Sequence, residues 1–176
     1  MPTARDDMAP RHVYTWYAPH RKALIAWCNL VLVLWICAGH AAMRNISIEE
    51  LARKADTIVL GTVTQQASAW DDQHTAIHTD VTVEVEQVLT GLPGEVVTLR
   101  VLGGVVGGVG MGTSNDATFR VGERVIVCLD THAVPSSVVG MQQGKFTVED
   151  NTVIRADETW SLNEFIAAVQ DRKSVV

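Results

Sequence analysis

The stretch that decides the fold runs from Ala76 to Leu89 and reads AIHTDVTVEVEQVL. Its side chains alternate in character for ten residues. One set is apolar or β-branched: Ile77, Thr79, Val81, Val83 and Val85. The other set is polar: His78, Asp80, Thr82, Glu84 and Glu86. Because successive side chains of a strand point to opposite faces, this period of two predicts a half-buried strand with one face in the core.

The flanking segments extend this strand into a sheet. Gly91 to Gly94 reads GLPG, which is typical of a turn, and the apolar alternation resumes at 97 to 101. These two strands are expected to pair as a hairpin. Upstream, Thr57 to Thr64 is β-branched and apolar, with a bulge or bend expected at Gly61. The nearly continuous apolar run Val125 to Leu129 indicates a strand that is covered on both sides.

Two helices are expected to flank the strands. Ser47 is a candidate N-cap for a short helix that starts at Ile48. Near the other end, apolar residues recur at helical spacing at Leu162, Phe165, Ile166 and Val169. A further strand or hairpin is expected between 138 and 154.

These elements predict a mainly β fold. Several strands of uneven length with interior glycines favour a small antiparallel barrel of the OB type, closed or partly open, with a short N-terminal helix and a C-terminal helix. A two-sheet β-sandwich is the alternative. Strands and helices do not alternate along the sequence, which argues against an α/β fold.

The N-terminal part of the chain carries an export pattern. Ala23 to Gly39 reads ALIAWCNLVLVLWICAG, after Arg21 and Lys22 and before the small residues of Gly39-His40-Ala41. A basic flank, an apolar run and a small-residue exit are typical of a signal peptide. We therefore expect a lead and signal peptide over 1–41 and a single domain over 42–176. An uncleaved anchor at 23–41 is the alternative, and either arrangement makes the domain secreted or extracytoplasmic.

Charge and cysteine content limit the function classes. The whole chain has 176 residues, 47% of them hydrophobic, and a net charge of -6. Residues 1–42 hold four of the 14 basic and two of the 20 acidic side chains, so 43–176 holds 10 basic and 18 acidic ones and carries -8. Such an acidic domain is a poor nucleic-acid binder. Cys128 is its single cysteine, which excludes an internal disulfide, and its apolar neighbours predict a buried, unreactive thiol.

A glycine-rich segment is the most unusual local feature. Leu102 to Thr113 reads LGGVVGGVGMGT. A phosphate-binding loop would need a lysine and a helix after the glycines, and neither follows. We expect a tightly curved loop that can contact a ligand. The candidate ligand-contacting residues are Trp70, Gly108, Gly110, Met111, Gln142 and Gln143.

Two histidines are the candidates for metal binding, although no metal site is expected. His74 and His78 are four residues apart near several aspartates. On a strand that spacing separates the side chains by about 13 Å, so only a fold-back of His74 would bring them together. No catalytic signature of a hydrolase or thiol enzyme occurs, and no catalytic residue and no cofactor are expected.

Five segments together resemble uncharacterised exported prokaryotic β-rich domains. They are 55 to 63 (ADTIVLGTV), 79 to 85 (TDVTVEV), 103 to 107 (GGVVG), 119 to 125 (FRVGERV) and 139 to 146 (VGMQQGKF). The resemblance covers roughly 50 to 155 and implies an OB-like barrel of the class of netrin-like and metalloproteinase-inhibitor domains. Those inhibitors depend on an N-terminal cysteine and disulfides, which this domain lacks. Their mechanism and their functional residues therefore do not transfer.

The function expected from these observations is that of an exported, non-enzymatic binding module whose partner is an extracytoplasmic protein or glycan. A metal-dependent or carboxylate-based hydrolase is one alternative. An inhibitor or other partner of a secreted protease is another. The sequence leaves the ligand and the oligomeric state open.

Overall fold

Ten strands and two α-helices make up most of the chain that the computed structural model describes, which is 45–112 and 114–173. The helices are α1 (Ile48–Lys54) and α2 (Leu162–Lys173). The first five strands are β1 (Thr57–Trp70), β2 (Ile77–Thr90), β3 (Val96–Leu102), β4 (Gly104–Val106) and β5 (Val109–Met111). The others are β6 (Arg124–Asp130), β7 (Ser137–Val138), β8 (Lys145–Glu149), β9 (Thr152–Arg155) and β10 (Glu158–Ser161). A short 3-10 helix, Met141–Gly144, precedes β8.

Eight strands form one antiparallel sheet. Seven follow the order β10-β9-β8-β6-β1-β2-β3, and β7 pairs with β6. Strands β4 and β5 form a separate two-stranded hairpin. The predicted mainly β fold with an N-terminal and a C-terminal helix is confirmed. The sheet has two ends and is not closed, so the closed form of the predicted barrel does not occur. Within the described residues, the second sheet is too small for the alternative sandwich.

The hairpin of β1 and β2 organises the sheet. Its register shifts between Leu60 and Gly61, where a Cβ atom on Gly61 would lie 2.2 Å from the Glu84 carbonyl oxygen. No other residue fits that close approach of two backbones, so the expected bend at Gly61 is confirmed. The first half of β1, from Thr57 to Thr62, also pairs with β6.

The sheet is covered by apolar groups on both faces. On the face away from the helices lies a cluster that we call the interior core. It contains Val59, Val63, Val81, Val83, Val97, Leu99, Ala117, Phe119, Val125, Val127 and Leu129. The helix-side core contains Ile58, Leu60, Ile126, Cys128 and Phe146 together with α1 and α2. Successive residues of β6 enter opposite cores, which confirms the expectation that this strand is covered on both sides.

Side-chain caps begin both helices. The Ser47 hydroxyl accepts a hydrogen bond from the Glu50 amide at 3.2 Å, as the sequence predicts. Ser161 and Glu164 form a reciprocal capping box at the start of α2. The helix then buries Phe165 against Phe146, with 4.7 Å between the ring centroids. Tertiary packing on the sheet therefore holds both helices.

Candidate functional site

The β4-β5 hairpin covers one end of the interior core and leaves a cavity of about 170 Å³ beneath it. Residues of β1, β2, β3, the hairpin and the segment 116–119 line this cavity. Its apolar wall contains Val81, Val101, Met111 and Phe119. Its polar groups include Gln66, Thr79 and Asp116. Because the wall continues into the buried core, the cavity is a recess in the rigid part of the fold.

Hydrogen bonds hold the hairpin over the recess. The Gly103 amide donates to the Ile77 carbonyl at 2.7 Å. The Thr79 hydroxyl donates to the Gly103 carbonyl at 2.7 Å and lies 2.8 Å from the Ser68 hydroxyl. The Ile77 amide donates to the Met111 sulfur at 3.3 Å. The hairpin is therefore tied to β2 through Gly103, directly before β4, and through Met111, the last residue of β5.

The glycines of the hairpin have two different roles. Gly104 has a φ of +140°, and a Cβ atom there would lie 2.4 Å from the Thr79 hydroxyl oxygen. It is required where the hairpin approaches β1 and β2. Gly107 and Gly108 have φ values of +59° and +84° and form the two-residue turn, with open space around both. Positive φ at both positions is what a type I′ turn needs.

Gln66 supplies an unsatisfied donor at the cavity. Its Nε2 atom is shielded from solvent and has no hydrogen-bond partner among the described residues. A buried amide without a partner costs about 1–3 kcal/mol. A group that enters the cavity with a hydrogen-bond acceptor would recover part of this cost.

Exposed aliphatic side chains lie beside the cavity. Leu102, Val105 and Val109 have 46%, 67% and 50% of their surface exposed. Leu102 belongs to the end of β3, and the other two belong to the hairpin. Val109 pairs with Val106 and lies on the same face of the hairpin as Met111, whereas Val105 pairs with Gly110 and lies on the opposite face. Val109 is therefore the exposed hairpin valine on the cavity side.

The sequence-predicted ligand residues do not all come to this place. Met111 lines the cavity, while Gly108 and Gly110 belong to the hairpin but not to the lining. Trp70 ends β1 and stacks on His74, with 6.1 Å between ring centroids. Gln142 and Gln143 lie in the 3-10 helix.

Gln143 has a contact within the fold instead of a place in the cavity. Its side-chain oxygen accepts a hydrogen bond of 2.6 Å from the Ile46 amide. The buried Arg155 guanidinium donates to the Ile46 carbonyl at 2.8 Å. These contacts attach the segment before α1 to the region of β8 and β9. Gln142 is exposed, and its backbone amide donates to the Asn115 carbonyl at 2.9 Å.

The cavity residues that sequence reasoning missed are Gln66, Asp116 and Phe119. Gln66 is an ordinary polar residue within a strand, and the other two lie in a segment without secondary structure. The one available signal concerns Gln66. It lies on the same face of β1 as the inward-facing Val59 and Val63 once the register shift between Val63 and Gln65 is counted.

His74 and His78, the candidates for metal binding, belong to no group of three potential metal ligands within 45–112 and 114–173. His74 has a φ of 55° in the β1-β2 turn, and His78 pairs with Ala69 within the sheet. Within the described ranges, one group of three potential ligands occurs instead: Asp56, Asp130 and His132, whose ligand atoms lie within 4.8 Å of one another. Both carboxylates already accept backbone hydrogen bonds, from the amides of Thr131 and His132. These hydrogen bonds stabilise the turn at the end of β6, which accounts for the proximity of the three side chains.

Other reactive side-chain types are engaged in the fold. Burial raises the pKa of the Cys128 thiol to about 12, so the thiolate is not accessible near neutral pH. Glu86 accepts a hydrogen bond of 2.7 Å from Arg124 and one of 2.7 Å from the Thr62 hydroxyl. Glu123 pairs with Lys145. These carboxylates therefore act as structural ion-pair partners.

Comparisons with known proteins identify no family for this chain. No family model matches the chain, and no curated protein is significantly similar to it. In the part of the chain that the structure describes, no helix has the length and apolar character needed to span a bilayer. The predicted export segment, 1–41, lies outside the described residues.

Proposed function

We propose that the chain is an exported, non-enzymatic binding module whose ligand, a protein or a glycan, docks on the hairpin and its cavity. The observation that carries this proposal is the recess beneath the β4-β5 hairpin with the unpartnered Gln66 amide in its lining. Recesses at the ends of barrel-like folds are common ligand sites, because loops and hairpins there shape the surface while the sheet stays rigid.

An OB-like barrel is part of the proposal, and a short contact between β3 and the residue before β7 supports it. Leu99 of β3 forms an isolated parallel bridge with Ser136, directly before β7. The Arg100 amide donates to the Ser136 carbonyl at 2.8 Å. Since β7 pairs with β6 and β6 with β1, five strand segments form an almost continuous circuit around the interior core. Such a circuit fits a partly open five-stranded barrel.

The composition of the cavity favours binding over catalysis. Among the described residues that line it, Asp116 is the one titratable side chain, and the hydroxyls of Thr79 and Thr118 are the other polar side-chain groups besides Gln66. Hydrolysis by carboxylates needs a second acid or base at a defined distance, and a metal site needs several converging ligands. A binding role needs neither.

Export rests on the pattern of 23–41 and makes the domain secreted or extracytoplasmic, with membrane contact only through that segment. Mass spectrometry of the chain recovered from the producing cell tests this step. Loss of 1–41 or membrane retention of the full chain supports export. A soluble cytoplasmic form that retains Leu30 to Leu34 contradicts it.

The binding proposal is tested with a pair of surface variants. Val109→Ser changes an exposed side chain on the face of the hairpin that carries Met111, and Leu92→Ser changes a fully exposed side chain in the β2-β3 turn. Extracytoplasmic proteins and an array of glycans are presented to the parent chain and to both variants. Capture that Val109→Ser weakens and Leu92→Ser does not supports the proposal. Capture that both variants leave unchanged contradicts the site, and turnover of a captured substrate contradicts the non-enzymatic role.

A further inference from the structure

Strand β1 has a partner strand on both sides only along its first half. β2 pairs with it to its end, whereas β6 pairs only with residues 57–62. At the next residue, the Val63 amide donates to the Glu123 carbonyl and the Val63 carbonyl accepts from the Gly122 amide. Within the described residues, no strand pairs with the other side of 64–70.

Hydrogen bonds at two points along β2 show which of its residues face β3. The Ile77 carbonyl accepts from the Gly103 amide at 2.7 Å, and the Val85 amide donates to the Glu95 carbonyl at 2.8 Å. The register between these points is regular, and residues of an antiparallel strand alternate between its two neighbours. The odd-numbered residues of β2 from 77 to 85 therefore bond on the β3 side, and the even-numbered ones bond on the β1 side.

The same alternation assigns the backbone groups of β1. Its residues 65, 67 and 69 lie opposite 82, 80 and 78, so their amides and carbonyls face β2. The Asp71 amide, two positions further, also donates across the hairpin, to the Ala76 carbonyl at 2.8 Å. The amides and carbonyls of Gln66, Ser68 and Trp70 therefore point away from β2, along the free edge of the strand.

The side chains along this edge are neutral. From Val63 to Trp70 the chain reads VTQQASAW, without a charged residue or a proline, although residues 43–176 carry a net charge of -8. The exposed side chains of Ala67 and Ala69 are also small. Proteins commonly protect an open edge with charged side chains or proline, because an open edge can pair with another strand. Neither protection occurs between 63 and 70.

The edge is complementary to a second copy of itself. Antiparallel strands related by a two-fold axis present the same backbone groups to each other in reverse order. When the axis passes at Ser68, this residue pairs with its equivalent, and Gln66 pairs with Trp70 of the second copy. This register engages every outward-pointing amide and carbonyl of 66, 68 and 70 in both copies.

No like charges meet in this register. Ala67 lies opposite Ala69 of the second copy, and Gln65 lies opposite Asp71. Opposed alanines allow the usual strand spacing of about 4.8 Å. Because two acidic domains repel each other, a neutral edge is the place where two copies can approach most closely. The exposed alanines form no pocket that would select the side chains of a foreign peptide.

We propose that two copies of this chain pair antiparallel along β1, from Gln66 to Trp70, and join their sheets into one. The axis is perpendicular to the joined sheet, so equivalent faces of the two copies point in the same direction. Both β4-β5 hairpins then lie on one side of the dimer. The proposal does not depend on which ligand the hairpin and its cavity bind.

Two double variants distinguish this pairing from other kinds of association. Ala67→Lys with Ala69→Lys places lysines opposite each other, whereas Ala67→Lys with Ala69→Glu places each lysine opposite a glutamate of the second copy. Like charges that lie directly opposite destabilise an antiparallel pair, and unlike charges stabilise it. We expect the lysine-glutamate variant to dimerise roughly ten- to hundredfold more tightly than the lysine-lysine variant. Long-range repulsion alone predicts the reverse order, because two lysines reduce the negative charge of the domain.

The measurement is sedimentation equilibrium of the parent chain, as recovered from its producing cells, and of both variants, from micromolar to millimolar concentration. Amide hydrogen exchange of the parent chain gives a second readout. Exchange at Ser68 and Trp70 should slow as the concentration rises, whereas exchange at Ala67, whose amide already faces β2, should not change. Thermal unfolding verifies that each variant is folded, and the exchange measurement decides the question if one is not.

Three results would overturn the proposal. They are a parent chain that stays monomeric throughout, a dimer whose dissociation constant is the same for both variants, and exchange at Ser68 and Trp70 that does not depend on concentration. Protection of these amides by an extended peptide of another protein, with the chain itself monomeric, would assign the edge to a different occupant. The binding function is tested separately by Val109→Ser, which lies outside this edge.

Discussion

Replacement of Gly104 by alanine is expected to detach the β4-β5 hairpin from the sheet and to destabilise the fold. The new Cβ atom would lie 2.4 Å from the Thr79 hydroxyl oxygen and 2.5 Å from the Ser68 hydroxyl oxygen. Neither atom is at the end of a long flexible side chain. The residue would also have to adopt a φ of +140°, which alanine rarely does.

The magnitude follows from two contributions. An unfavourable backbone conformation costs of order 1–3 kcal/mol. Relief of the clash requires Thr79 and Ser68 to move, which breaks their mutual hydrogen bond and the bond from Thr79 to Gly103, at about 1 kcal/mol each. We expect the free energy of unfolding to fall by about 3–5 kcal/mol.

The assay is urea unfolding of the parent chain, Gly104→Ala and the matched control Gly107→Ala. The control residue lies in the same hairpin at a φ of +59° with nothing within 4 Å of its Cβ position, so it pays only the conformational cost, about 1 kcal/mol. Equal unfolding midpoints for the two variants would refute the claim that close packing on Thr79 and Ser68 positions the hairpin.

Three further results are expected. Phe165→Ala should lower the free energy of unfolding in urea by about 3–5 kcal/mol, because it empties the contact with a buried aromatic cluster; a loss below about 1 kcal/mol would contradict that packing. The Cys128 thiol, with its pKa raised to about 12, should react with a thiol reagent at about pH 8 only after denaturation, and fast reaction of the folded chain would contradict its burial. Two hydrogen bonds from Arg100 lower the pKa of Asp80, so their stabilisation is present above the unfolded value of about pH 4 and lost as the pH falls further. Because both groups are partly exposed, Arg100→Leu should cost less than about 1 kcal/mol at neutral pH and progressively less as the pH falls below about 4; a cost independent of pH would point to packing alone.

The sequence predicts those elements whose side chains have a clear period. Alternation over 77–86 predicts the face that β2 buries, because a shift of one residue would expose the whole apolar set. The strand itself continues to Thr90. The candidate cap at Ser47 marks the start of α1. The segment from 102 to 113 contains few side chains that show a period, so the prediction of a curved loop missed the hairpin. Gly107-Gly108 between valines was its available signal.

The composition of the cavity could not be predicted, because its members converge through the register of distant strands. Gln66 and Asp116 are fifty positions apart, and each is unremarkable among its neighbours. The sequence offers Trp70 as an aromatic residue in a loop after a strand and Gln143 as part of a compact polar turn. In the structure the first stacks on His74 and the second binds the Ile46 amide. Residue type alone does not separate a ligand contact from a contact within the fold.

The cavity exists because backbone, and not bulky side chains, closes that end of the interior core. Gly103, Gly104 and Gly112 are part of the lining and contribute no side-chain volume, so the hairpin covers the recess without filling it. Protein interiors are normally packed without such voids, and a buried donor such as Gln66 Nε2 normally has a partner. Within the described residues, Gln66 Nε2 is the one buried side-chain nitrogen or oxygen without a hydrogen-bond partner, and Gln66 lines this cavity. Local departures from packing and hydrogen-bond satisfaction are expected where a fold serves binding, since a ligand supplies the missing contacts.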